Sequence, residues 1–254
     1  MKILSFVNQK GGVAKTTSVL NIGAALAIAG KKVLLIDLDP QGSLSKSAGF
    51  RHLKGQPTTY EVIKGDANIK DAIVTKETAA PYDILPTDIR MSGAEIELIS
   101  VPGRDTLLKD ALEDMKRKYD YVLIDCSPSL NIFTLMALTA STQIIIPVAA
   151  QYLPLDGIAQ LMQTVELVKK RLNKRLEVGG VIVTMYDNRR SLDREVIEAI
   201  KSEFPKEIFK TVVKNNSKLA EAPAAGKDIF EYDARSSGAE AYKNIANEIM
   251  EREG

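Results

Sequence analysis

The chain has 254 residues, of which 45% are hydrophobic, 34 are Lys or Arg and 33 are Asp or Glu, leaving a net charge of +1. That length and apolar content fit one large α/β domain spanning 1–254, and the near-zero charge excludes nucleic-acid binding through bulk electrostatics, so any DNA contact must be a local patch. One cysteine, Cys126, excludes an intramolecular disulfide and most cysteine metal sites; no apolar run nears the ~18 residues of a membrane span, and no signal peptide precedes the first apolar run, so a cytoplasmic protein is expected.

The first apolar run, Ile3 to Val7, reads as a strand. It leads directly into Lys10-Gly11-Gly12-Val13-Ala14-Lys15-Thr16-Thr17 and then into a helical pattern over 17–29. Strand, Gly-rich turn and helix form a phosphate cradle: backbone N–H groups point inward and the positive end of the helix dipole adds to them. Gly11 and Gly12 allow close approach of the backbone to oxygen atoms because no Cβ intervenes. Lys15 is placed to reach the terminal phosphates and Thr16 to ligate Mg²⁺.

Val33 to Ile36 reads as a second buried strand, ending in Asp37-Leu38-Asp39-Pro40-Gln41-Gly42. Alternation sets Asp37 and Asp39 on one face at the carboxyl end, where two carboxylates beside a phosphate loop organise Mg²⁺ and position a water. Residues 40–80 are polar and irregular, expected as short helices and loops, with His52 on the surface. Further strands are expected at Tyr82 to Pro86, Tyr121 to Ile124, Gln143 to Val148 and Val178 to Thr184, with a weaker seventh at Val212-Val213. Helical patterns occupy 104–118, 155–173, 191–203 and 237–251; Met136, Leu161 and Met162 read as helix core. Near-continuous Val/Ile/Leu runs alternating with helices predict a mostly parallel, doubly wound sheet of about seven or eight strands, flanked by helices on both faces. Ligands bind such sheets at the carboxyl ends of strands. The strand ending in Ile124-Asp125 is Walker-B-like, so Asp125 is expected to complete the metal site with Thr16 and Asp39, while Cys126 is a small buried neighbour.

The loop misses the ordinary pattern G-x-x-x-x-G-K-[ST] at Gln9 and Ala14 and fits a deviant one, K-G-G-x-x-K-T-T. That pattern resembles the ParA/MinD group of P-loop ATPases. Asp37 to Gly42 resembles the group's D-x-D-P-Q-G switch; Ser92 to Leu98 its A-G-A-E-I-E-L segment; Thr184 to Arg189 its T-M-x-D-x-R; Lys218 to Pro223 its R-L-S-E-A-P. Tyr232-Asp233 with Ser237 to Tyr242 matches its closing Y-D and S-x-G-A-E-A-Y. The match runs through nearly the whole chain and is close to the short, Soj-like ParA partition ATPases, which lack a separate N-terminal helix-turn-helix domain.

The resemblance implies an ATP-Mg²⁺-dependent homodimer in which Lys10 reaches the partner's nucleotide and Asp39 orients the attacking water, with Asp37 supporting metal or loop at one remove. It implies sequence-independent binding of the ATP dimer to double-stranded DNA through Arg189 and Lys218, with Arg190, Lys210 and Lys214 as further candidates. A ParB-like centromere-binding protein would stimulate hydrolysis on the nucleoid. Met185 and Asp187, after the sixth strand, are expected near the base. Ala14 stands where the group mostly has glycine, which requires it to keep a negative φ. The alternatives are a MinD-like membrane-positioning ATPase, a small-molecule kinase with a lid at 40–80, and a nucleotide-gated DNA scaffold with negligible turnover. The acidic C-terminal tip argues against a membrane anchor. A nitrogenase iron protein needs two cluster cysteines per chain and is excluded by the single Cys126.

Overall fold

A computed structural model describes residues 1–51, 55–151 and 155–252, so His52 lies outside the described residues. The strands are β1 (Lys2–Phe6), β2 (Val33–Asp37), β3 (Val74–Lys76), β4 (Tyr82–Leu85), β5 (Tyr121–Asp125), β6 (Gln143–Ala149) and β7 (Glu177–Thr184). The helices outside the short connecting ones are α1 (Lys15–Ile28), α6 (Leu107–Glu113), α7 (Ile132–Ala140), α8 (Leu155–Arg171), α9 (Ser191–Glu203) and α12 (Ser237–Arg252). The short connecting ones are α2 (Ser43–Ser47), α3 (Thr59–Lys64), α4 (Ile69–Ala72), α5 (Met91–Glu97), α10 (Ser217–Glu221) and α11 (Ile229–Asp233).

The seven strands form one sheet in the order β3-β4-β2-β5-β1-β6-β7, parallel except for β3, which runs antiparallel to β4. Alternate residues of each central strand feed opposite cores. Leu34 and Ile36 pack with Val62, Leu108, Phe133, Leu161 and Val196 on one face. Val33 and Leu35 pack with Val19, Ile22, Leu26, Tyr242 and Ile245 on the other. Gly23 lets α1 lie close to the sheet, since a Cβ there would sit 2.4 Å from Leu35 Cδ2. From β1 the chain crosses to β2 on one side, and from β5 to β6 on the other. The crevice at the carboxyl ends of β1 and β5 is therefore the switch point of the sheet, where ligands bind.

Three local expectations are corrected. The strand at 74–76 was not expected, because Val-Thr-Lys is short and edge-lying, with no continuous apolar run. The helix expected over 104–118 is a 3₁₀ turn at 104–106 followed by α6, and after Glu113 the chain tightens into turns that bury both Met115 and Tyr119. Val212-Val213 forms no strand: single bridges pair Val181 with Ile208 and Tyr186 with Lys214, but between them the amides of Lys210 and Thr211 donate to the Glu248 carboxylate of α12.

Candidate functional site

The loop from Asn8 to Ala14 joins β1 to α1 at the switch point. Asn8 is 5% exposed and ties the start of the turn to β6: its Nδ2 donates to Pro147 O at 2.7 Å and its Oδ1 accepts from Lys10 N at 2.9 Å. Gly12 and Ala14 are both left-handed, at φ +73 and φ 62. This overturns the expectation of negative φ for Ala14. The turn is tied on both sides of this position: Thr184 Oγ1 donates to Val13 O at 3.1 Å, and Ala14 O receives the Ser18 N–H that opens α1. Ala14 offers no side-chain cap, so the first N–H groups of α1 remain available to an anion. Built Cβ atoms at Gly11 and Gly12 meet nothing within 4 Å, so both face the open side of the turn.

Lys15 is 7% exposed, and its Nζ folds back onto the loop carbonyls of Asn8 and Lys10, at 3.1 Å each. Burial lowers its pKa, partly offset by the charge of Asp125. Thr16 Oγ1 donates to Asp125 Oδ2 at 2.7 Å. Asp125 is 1% exposed, and its other oxygen, Oδ1, has no partner among the described residues. Burial first, and the neighbouring Asp37 second, push this carboxyl well above the usual carboxylate range. A buried, half-satisfied carboxylate beside a hydroxyl fits Mg²⁺. Among the described residues no three His, Cys, Asp or Glu side chains converge into a cage. Cys126 is buried as expected.

Asp37 and Asp125 are register partners on adjacent strands. Asp37 is fully buried and turns into the loop: Oδ1 accepts from Asp39 N at 3.2 Å and Oδ2 from Ser45 N and Oγ at 2.8 and 2.6 Å. Asp39 lies just past β2 and is half-buried, its Oδ1 accepting from Gln41 N at 2.9 Å.

Beyond β7, Met185 is left-handed at φ 55, and the Thr184–Val13 bond ties this loop to the cradle. Asp187 accepts from the main-chain N, Nε and Nη2 of Arg189, and its own N–H donates to buried Asp193 Oδ2 at 2.7 Å. The Asp187 carboxyl is thus held well below its usual range by Arg189. Asn215 N donates to Tyr186 O, which brings the 185–190 loop beside the segment leading into α10 and Lys218. Lys218 pairs with Glu221 at 2.9 Å and lies 5.8 Å from the Tyr232 ring centroid. Sequence reasoning missed Asn8, Ser45, Thr184 and Asp193. Each is a polar residue whose partner is set only by the fold; Thr184 opens a recognised segment, but its bond to Val13 is marked by no spacing.

Residues 1–178 match the AAA_31 family model, an AAA domain. The chain is 46% identical to the sporulation initiation inhibitor protein Soj of Bacillus subtilis over 248 residues, covering 98% of both chains. It is 42% identical to the chromosome partitioning protein ParA of Caulobacter vibrioides over 255 residues, covering 100% of this chain and 95% of that one. Among solved structures it resembles cobyrinic acid a,c-diamide synthase from Mycobacterium smegmatis with bound ADP and magnesium, at TM-score 0.85 and 34% identity over 98% of this chain and 94% of that one. With a cradle, switch and Walker-B-like aspartate on a parallel sheet, and relatives matched end to end, the chain belongs to the Soj/ParA family of chromosome-partitioning P-loop ATPases.

Proposed function

We propose that this protein is an ATP-driven DNA-binding switch that segregates or positions a chromosome, plasmid or protein cargo. The observation that carries the reading is the Thr16–Asp125 pair, with an unpartnered buried carboxylate oxygen, beneath a left-handed loop that keeps Lys15 inside. The N–H groups of residues 11–17 receive the β- and γ-phosphates, and Lys15 exchanges its two carbonyl partners for phosphate oxygens. Thr16, Asp39 and Asp125 would hold Mg²⁺, which when bound would neutralise charge on the phosphates. Asp39 orients the attacking water, and hydrolysis needs little more than that alignment. Lys10 serves the nucleotide of a second copy, which makes the ATP state dimeric. The Met185–Asp187 loop borders the base.

The ATP dimer binds double-stranded DNA on the nucleoid without sequence preference, through Arg189 and Lys218. Arg189 is exposed while its partner Asp187 is largely covered, so the guanidinium reaches a backbone phosphate by giving up its bonds to Asp187. A ParB-like protein accelerates hydrolysis and releases the dimer. The membrane reading is disfavoured because α12 buries Ala239, Tyr242, Ile245 and Ile249, leaving no apolar face of that helix for a lipid surface. Titrating Lys15→Ala with Mg-ATP tests the cradle. ATP affinity is expected to disappear, and retained affinity would refute it.

A further inference from the structure

We infer that Ser45 is a positioning residue for ATP hydrolysis, acting through the buried carboxylate of Asp37 on the main chain of Asp39; this rests on the reading that Asp39 orients the attacking water. Ser45 is 1% exposed, at the third position of α2. Its hydroxyl donates to Asp37 Oδ2 at 2.6 Å and accepts from Thr87 N at 3.0 Å. Its direction is therefore fixed from both sides. Asp37, fully buried, passes the constraint on, because its second oxygen holds Asp39 N. The Asp37 carbonyl is also fastened, accepting from Thr59 Oγ1 at 3.0 Å. Asp39 itself closes a turn by accepting from Gly42 N and Gln41 N. A continuous chain of hydrogen bonds thus runs from the exit of β4 at Thr87, through Ser45 and Asp37, to the main chain of Asp39.

None of these bonds touches the cradle. Lys15 is held by Asn8 and Lys10, and Thr16 by Asp125. Removing the Ser45 hydroxyl leaves Thr87 N–H without its acceptor and Asp37 short of one donor. That loosens the anchor of Asp39 while leaving the phosphate contacts alone. Misplacement by a fraction of an ångström at a water-orienting group costs rate, not affinity.

The test measures single-turnover Mg-ATP hydrolysis by the full chain, alongside ATP affinity from titration with a fluorescent ATP analogue. Ser45→Ala is expected to slow hydrolysis at saturating ATP by roughly ten- to a hundredfold, with affinity unchanged within about twofold. Ser45→Thr, which keeps the hydroxyl, is expected to return the rate to within about threefold of the parent. Should the alanine variant not fold, Ser45→Cys, similar in size with a weak donor, replaces it with the same expected loss. A parental rate in Ser45→Ala, a matching loss of affinity, or a folded Ser45→Thr as slow as Ser45→Ala would overturn the assignment. Asp39→Ala is run in parallel. Normal turnover there removes the underlying reading, whereas an inactive Asp39→Ala beside a fully active Ser45→Ala removes only Ser45.

Discussion

Ala14 shows what a single residue adds beyond its motif. The spacing of Lys10, Lys15 and Thr16 was legible in the sequence because phosphate chemistry demands those types in that order. The left-handed φ of Ala14 was not, since it goes with a turn held to β7 by the Thr184–Val13 bond, a contact that only the fold creates. An L-residue in that region costs about 1–2 kcal/mol. Glycine would relieve this but lose roughly 0.4–1 kcal/mol through its freer unfolded chain. Ala14→Gly is therefore expected to stabilise the protein by roughly 0.5 kcal/mol, and Ala14→Val to destabilise it, as read by thermal melting. A lower melting temperature for Ala14→Gly would show that the Ala14 methyl contributes packing that outweighs the backbone strain.

Among the elements, β2 and β5 carry the tension of the site. Their registered ends place two buried carboxylates side by side, Asp37 and Asp125. Burial pushes Asp37 up to about 6, and burial together with the Asp37 charge raises Asp125 well above the usual carboxylate range. Both folded-state values lie above those of an unfolded chain, near 4. The stability these groups contribute is therefore fully present below pH ~4 and lost as pH rises through about 6. Melting of the nucleotide-free protein is expected to move to lower temperature between pH ~4 and ~6, and Asp37→Asn to flatten that slope. A melting temperature that rises across the same window would contradict the burial argument. The strands themselves were legible as Val/Ile/Leu runs, because both faces are covered. β3 was not, because an edge strand with one exposed side carries no such run.

At the scale of the whole molecule, α12 closes over α1, and α1 carries the phosphate loop at its start, so the cradle is continuous with the core. The basic patch lies across the loops at 185–190 and 214–218, which are distant in sequence and joined by the Tyr186–Asn215 contact. Residue motifs named its members, but their adjacency and their pairing with Asp187 and Glu221 emerge only in three dimensions. On the proposed reading, a net charge of +1 leaves this patch to supply the DNA affinity, which is then expected to weaken steeply with salt. Arg189→Glu is expected to reduce DNA affinity at least ~10-fold at fixed salt while leaving ATP-dependent dimerisation intact; unchanged affinity would move the patch elsewhere. The most direct test of the whole account is retention of the protein on non-specific double-stranded DNA with Mg-ATP, with Mg-ADP and without nucleotide. Binding with Mg-ATP alone is predicted; equal binding in all three conditions, or none in any, would contradict it.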